Sequence, residues 1–432
     1  MSKMKETGIP WLPEVSEAFS VGYVKQYFYV SKDLSNVGEP ERVLKLARAG
    51  IVEKDVTTNE GQMAASYAGY NKVQVGDLLL NPMDLYSGAN CNVSELNGVI
   101  SPAYSNLRAK KAYSVVPKFY DYYFKSQYWL MAMFAHGKGV SFDNRWTLNN
   151  DSLRAYEIPV PPYIVQQCIV ERIQSEERKV DALIANVQAQ IEKLKAYKQS
   201  VISEVVTKGL DPTGPMKDSG FDWIGRIPAH WEKLRVKHIG DTQNGISKGG
   251  EHFGNGYPFV SYGDVYKNME LPHSVVGLVE STDAERENYS VKKGDIFFTR
   301  TSETIEEVGF SSVCTETIKD ATFAGFLIRL RPYNDAMNTQ YAKYYFRGDH
   351  IRRYLVKEMN LVTRASLGQG LLKAMTVLIP PRKEQLAIAE YLDSKCSQLD
   401  RLIAIKQKKI EKLEQYKRSL IYEYVTGKRE VV

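Results

Sequence analysis

The sequence predicts an α+β protein. Two tandem, similar modules of short strands and helices are separated by two long helices, which are conserved between the repeats and pack as an antiparallel coiled coil about a pseudo-twofold axis. Three observations predict this. The stretch "IEKLKAYKQSVISEVVT" at 191–207 returns as "IEKLEQYKRSLIYEYVT" at 410–426, an offset of 219 in a chain of 432 residues. Around both copies the apolar residues recur every three or four positions on a charged background, the period of an amphipathic helix. Upstream of each copy lies a segment that mixes strand-like and helix-like runs, and 432 residues are too many for one ordinary core.

The repeat is longer than those seventeen residues. Pro161-Pro162 aligns with Pro380-Pro381, and the copies run from there to Thr207 and Thr426 without a gap. Identities include Gln166/Gln385, Ile169/Ile388, Glu171/Glu390, Asp181/Asp400, Leu183/Leu402 and Tyr197/Tyr416. Further upstream the likeness weakens but keeps its order: "TGIPW" (7–11) parallels "SGFDW" (219–223), "VGDLLLN" (75–81) parallels "KGDIFFT" (293–299), and "DYYFKS" (121–126) parallels "KYYFRG" (343–348). Each half is one variable module followed by one shared segment. The expected boundaries are 1–160 for the first module, 161–208 for the first helix, 209–379 for linker and second module, and 380–432 for the second helix.

In the first helix Val180, Leu183/Ile184, Val187, Ile191, Leu194, Tyr197, Val201 and Val205 form a narrow apolar seam. Leu399, Leu402/Ile403, Ile410, Leu413, Tyr416, Leu420 and Tyr424 match it in the second. A Pro-Pro start is suited to a first helical turn, where the missing N–H would be unpaired anyway. Lys406 and Lys409 interrupt the second seam, which favours a helix pair that also meets another protein.

Within the modules "VGDLLLN" and "KGDIFFTR" read as a turn followed by a strand. The runs "FYDYYFKSQYWLMAMF" (119–134) and "QYAKYYFRGDHIRRYLV" (340–356) carry helical periodicity. The Gly-rich stretch 243–265 reads as loops between short strands, and 208–231 as the linker.

Composition narrows the function. With 43% hydrophobic and 25% charged residues the chain is expected to fold, and its net charge of +6 fits an anionic partner without requiring one. Cys91, Cys168, Cys314 and Cys396 stand apart, as reduced thiols of a cytoplasmic protein do. Residues 1–11 lack an apolar signal core and "WLMAMFA" (129–135) is too short to span a bilayer, so a soluble intracellular protein is expected.

Catalytic signatures fail at essential positions. "VPPY" (160–163) resembles the Asp/Asn-Pro-Pro-Tyr loop of amino-methyltransferases, but Val160 replaces the polar residue and the second copy reads "IPPR". "GQGLLK" (368–373) has Lys373 where a dinucleotide fold needs its third glycine, and no Walker lysine loop is present. The six histidines show no metal-ligand spacing, and "ERK" (177–179) has nuclease spacing but sits on the long helix. No catalytic residue, metal site or cofactor is expected on this chain.

What recurs is cation plus hydroxyl on loops. "TRTSET" (299–304) puts Arg300 and Ser302 at a strand end, "VTRASLGQG" (362–370) places Arg364 between helix and strand, and "GISKGG" (245–250) offers Lys248 on a flexible loop. In the first module Lys25, Lys72, Lys111, Lys138 and Arg145 take comparable places. Arg and Lys grip phosphates or pair with guanine edges, so these nine are the candidate DNA-binding residues. Each alone is ordinary surface charge.

Taken together, "EIPVPPYIVQQCIVERI", "VLIPPRKEQLAIAEYLD", "IEKLKAYKQSVISEVVTKGLDP" with "MKDSGFDWIGRIPAHWE", and "GDIFFTRTSETIEEVGFSSV" resemble the specificity subunit of type I restriction–modification systems from end to end. The resemblance implies two target-recognition domains, each reading one half of a split double-stranded DNA sequence, with the helices as spacer. It implies that the helices dock two methyltransferase (modification) subunits, through positions such as Val180, Val187, Leu194, Tyr197, Leu399, Ile410, Leu413 and Tyr416. Restriction subunits join in the full complex. S-adenosylmethionine, Mg and ATP are expected on the partner subunits only. The first module departs from the pattern: Asn81 aligns with Thr299, and Pro82 takes the place of Arg300. Two other readings stand beside this one, a recognition subunit of a different restriction or phage-defence system and a structural adaptor without DNA contact.

Overall fold

A computed structural model describes residues 3–431 except 39–41, 48–49, 57–63, 65, 84, 86–90, 140–145, 303–307, 334–335 and 359–364. The chain divides into two compact units, one of Met1–Gln188 with Lys408–Val432 and one of Ala189–Gln407. Both long helices contribute to both units. The first, α1, spans Tyr163–Lys208, and the second, α2, spans Arg382–Val425.

Neither helix contains an internal Gly or Pro, so nothing in the sequence breaks the hydrogen-bond ladder. The starts and ends are built alike. At the start, the buried Gln166 side chain donates to the Pro161 carbonyl at 2.8 Å and accepts the Val116 N–H at 2.8 Å. Gln385 repeats this with the Pro380 carbonyl at 2.9 Å and the Asn338 N–H at 2.7 Å. At the end, Gly209 and Gly427 adopt φ of +76° and +73°, the left-handed conformation that lets a chain leave a helix. Thr207 and Thr426, just before, each return a hydroxyl to the carbonyl four residues back at 2.7 Å.

In the first unit two four-stranded sheets carry the module. One has the order Gly50–Glu53, Val43–Ala47, Gly98–Ile100, Asn71–Val73, and the other Phe28–Val30, Ser105–Ala109, Leu78–Leu80, Cys91–Val93. The helix Pro117–Trp129 buries Phe119, Tyr120, Tyr123 and Phe124 beside Ile169 and Ile173 of α1 and Leu420, Ile421 and Tyr424 of α2.

The second unit repeats the plan. Its four-stranded sheet has the order Gly240–Asn244, Leu327–Pro332, Ile296–Thr299, Ser311–Val313, and a three-stranded sheet joins Leu278–Val279, Phe253–Val260 and Thr322–Phe323. Tyr341 and Tyr345 pack with Val201, Val205, Ile388 and Leu392 of the long helices. The helical run expected over 340–356 is interrupted: Thr339–Tyr345 and Asp349–Glu358 are separate helices, with Gly348 at the break.

The expected linker holds a hairpin, in which Met216–Asp218 pairs with Arg226–Pro228. It reproduces the N-terminal hairpin of Met4–Ile9 and Leu12–Ser16, and Gly8 and Gly220 take φ of +71° and +77° at repeat-equivalent positions. In the first unit that hairpin lies at the end of α2, where the Ser16 N–H donates to the Thr426 carbonyl at 2.9 Å.

Within each unit the segments of α1 and α2 run antiparallel. In the first, Arg172 bonds Tyr424 at 3.2 Å and Asp181 bonds Lys417 at 2.7 Å, the partner number falling as the residue number rises. In the second, Gln190 bonds Lys406 and Lys198 bonds Asp400 at 2.7 Å. Lys406 therefore interrupts the apolar pattern by reaching a polar partner across the pair.

Candidate nucleic-acid interface

The candidate reading edge of the second unit starts from a turn that ends on a buried aspartate. Gly294 takes φ of +92°, and Asp295 accepts the Lys292 N–H at 2.7 Å while its carboxylate takes both arms of Arg331 at 2.6 Å. The side chain of Asp295 is 1% exposed, so this fork is a bidentate ion pair on a desolvated carboxylate. It anchors the strand Ile296–Thr299, which delivers Arg300 to the sheet edge.

Four chain segments meet there. The Arg300 N–H donates to the Phe326 carbonyl at 2.9 Å, and the Arg300 carbonyl accepts the Leu367 N–H at 2.7 Å. Thr301 and Ser302 pair in an antiparallel ribbon with Ser366 and Ala365. The Gly325 N–H donates to the Ile246 carbonyl at 2.7 Å, bringing in the loop that carries Ser247 and Lys248. Gly245 and Gly325 are required by that approach, because a Cβ on either would strike the facing segment, the Phe323 carbonyl and the Ser247 hydroxyl respectively. Thr242 and Gln369 close the edge with a 2.9 Å side-chain bond.

The first unit builds the same edge with other side chains. Gly76 also takes φ of +92°, Asp77 accepts the Gln74 N–H at 2.9 Å, and Arg108 forks onto its carboxylate at 2.8 and 2.7 Å. The strand Leu78–Leu80 leads to Asn81 and Pro82, and the Pro82 carbonyl accepts the Leu148 N–H at 2.8 Å, as that of Arg300 accepts Leu367. The ribbon position is held by the Lys138–Thr147 bridge.

The structure thus gathers Arg300 and Ser302 on one edge, and Lys138 on the matching edge of the other unit. Arg145 and Arg364 lie outside the described residues. Lys248 is not on a free loop: its ammonium pairs with Glu285 at 2.8 Å and holds that carboxyl below its usual range. Lys72 is exposed on the other sheet of the first unit and pairs with Asp33 at 3.2 Å. Lys25 and Lys111 are exposed near each other, since Lys110 reaches the Lys25 carbonyl at 2.6 Å, but no described bond ties them to Pro82.

On the long helices Val180, Val187 and Leu399 are buried in the seam, and Leu194, Ile410 and Leu413 are half-buried. Tyr197 and Tyr416, expected in that seam, are instead 50% and 47% exposed. A phenol needs a polar partner or water, and at the rim Lys395 sits over the Tyr197 ring at 5.7 Å while Arg429 bonds Tyr416. Sequence reasoning missed the Asp77–Arg108 and Asp295–Arg331 forks and the turn at Phe326. The repeated Gly-Asp followed by an Arg, 31 residues after Asp77 and 36 after Asp295, was a usable signal for the forks. Among the described residues no cluster of His, Cys, Asp or Glu suits a metal ion, and no helix is long and apolar enough to cross a membrane.

Residues 228–415 match the family described as type I restriction modification DNA specificity domain. With the likenesses that follow, this match supports a type I specificity subunit. It is 24% identical over 403 residues to the type I restriction enzyme MjaVIII specificity subunit of Methanocaldococcus jannaschii, covering 93% of this chain and 86% of that one. It is 25% identical to the EcoKI specificity subunit of Escherichia coli K12 over 55% of this chain and 50% of the relative. A solved chain from work on complex assembly and conformational transition of the type I R-M system superposes with a TM-score of 0.68 at 15% identity, covering 95% of this chain and 98% of its own. The HsdS subunit from Thermoanaerobacter tengcongensis gives 0.50 at 16% identity, covering 96% and 98%; these likenesses show the fold. The matched segment is that of a DNA specificity domain, and the two edges are where the two modules differ in side chains on a common frame.

Proposed function

We propose that this specificity subunit is a non-catalytic reader of a bipartite duplex DNA target, each edge contacting one half-site. The long helices fix the spacing and dock two methyltransferase subunits, with restriction subunits joining through them. S-adenosylmethionine, Mg and ATP are held by those partners, and the complex works in the cytoplasm. The observation that carries this reading is the edge built twice. The Leu148-to-Pro82 and Leu367-to-Arg300 hydrogen bonds are the same bond in two modules, with a proline at one edge and a guanidinium at the other. A common frame with different readers suits two different half-sites, as symmetric dimers suit identical ones.

The test is co-expression with a cognate methyltransferase subunit followed by mapping of adenine methylation. A split methylated motif that appears only with this chain supports the reading. A complex that forms but leaves no motif sinks it.

A further inference from the structure

Phe326 is the most exposed phenylalanine named on the edge, at 65%, while Phe323 and Leu327 on either side of its turn are fully buried. A single exposed apolar residue is ordinary. This one is held in place by backbone bonds on every side. The Leu327 N–H closes the turn onto the Ala324 carbonyl at 2.9 Å, Gly325 bonds Ile246, and the Phe326 carbonyl accepts the Arg300 N–H. The ring is therefore carried on a fixed support beside the residue best placed to read a base.

The equivalent position in the first unit can be identified from the ladders. Leu78 pairs with Leu107 and Leu80 with Ser105, as Ile296 pairs with Leu330 and Phe298 with Ile328. Counting back from Ser105 and Ile328 makes Ala103 the counterpart of Phe326, and the same turn is closed by the Tyr104 N–H on the Ser101 carbonyl at 3.1 Å. Beside Ala103 the first unit has an open cleft of about 650 Å³, also lined by Met83, Tyr70 and Tyr104. One module thus presents a projecting ring where the other presents a hollow, on turns of the same construction.

We propose that Phe326 is a specificity-determining residue of the second half-site, its ring packing on the C5-methyl group of a thymine next to the base or phosphate held by Arg300. The inference rests on the DNA-reading function proposed above. The chemistry selects the contact: among base edges in the major groove the thymine methyl is the apolar feature, and donors such as Arg300 read the polar edges alongside it.

The experiment uses the complex with its methyltransferase subunits and duplexes in which each thymine of the second half-site is replaced, one at a time, by deoxyuridine. Wild type should lose about 5–10-fold in affinity at one position, at the low end of the range of a base-edge contact. Phe326→Ala should lose a similar factor on the thymine duplex and be indifferent to uracil there, while Phe326→Leu keeps part of the discrimination. Wild-type indifference to every uracil, a second half-site without thymine, or an alanine variant that still senses the methyl overturns the proposal. So does an equal loss on all duplexes accompanied by increased 2-aminopurine fluorescence, which marks a wedge between bases. In each of these the split motif persists; its absence sinks the DNA-reading function instead.

Discussion

Lys198 bonds Asp400 at 2.7 Å in the second unit, and their repeat counterparts Lys417 and Asp181 make the same bond at 2.7 Å in the first. The lysine of each repeat copy meets the aspartate of the other. These pairs sit at the margin of the helix seam, with Asp400 57% and Asp181 55% exposed, so they set register more than stability. Asp400→Lys should cost about 0.5–1 kcal/mol by placing like charges together, and the exchanged Lys198→Asp/Asp400→Lys variant should recover most of it. Thermal melts at low and high salt check this. A double variant no better than the sum of the singles would show that the pair does not interact.

Arg300 supplies the second prediction. Arg300→Ala should weaken binding to the second half-site by about 1–3 kcal/mol and relax specificity at one position. Binding to the first half-site should be unchanged, while Lys138→Ala should act there alone. Competition assays with duplexes altered in one half-site read this directly. Uniform weakening across all sequences would assign Arg300 to a phosphate, and no effect would remove it from the interface.

The helices were legible in the sequence because period and duplication reinforce each other: two copies with one apolar spacing leave little room for another fold. The strands that carry the site were legible through Gly-Asp, since Gly76 and Gly294 share a left-handed conformation and Asp77 and Asp295 share an arginine fork. The candidate interface was only partly legible. Arg300 and Ser302 stood out because they follow a strand, but the segments beside them are separated in sequence by about 25–65 residues and come together only through sheet pairing. Periodicity carries no information about such contacts. Likewise no local pattern separates Lys248, held by Glu285, from a free lysine on the same kind of loop.

His350 makes the stability of the protein pH-dependent. Its ring is 4% exposed, lies 4.7 Å from the Tyr345 ring, and among the described residues neither ring nitrogen has a hydrogen-bond partner. Burial pushes its pKa down to about 3, with the charge of Arg353 acting in the same direction. The unfolded chain takes up a proton near pH 6.5 that the folded chain refuses. The contribution of this histidine is therefore fully present above about pH 6.5 and lost as pH falls toward 3, at up to about 1.4 kcal/mol per unit. His350→Phe should flatten the stability profile between pH 6.5 and 4.5 in denaturant titrations. An unchanged slope in that variant would assign the acid sensitivity elsewhere.

Tyr197 and Tyr416 are half-exposed at repeat-equivalent positions, and so are Leu402 and Leu183 at 46% and 50%. The Lys198–Asp400 and Lys417–Asp181 bonds bring each tyrosine to within about two turns of the opposite leucine, giving each unit one tyrosine–leucine patch. Solvent exposure of these apolar groups is not relieved by the helix pair, and aromatic anchors of this kind dominate protein interfaces. If each patch receives one methyltransferase subunit, Tyr197→Asp should leave a complex with a single such subunit, bound through the Tyr416 patch. Tyr416→Asp should leave the complementary complex, and the double variant none. The expected loss per site is at least about 2 kcal/mol, or roughly 30-fold in dissociation constant. Native mass spectrometry counts the subunits, and DNA binding by the double variant reports whether the reading edges remain folded. Two methyltransferase subunits retained on the double variant, with unaltered affinity, would place the docking surface on another face of the helices.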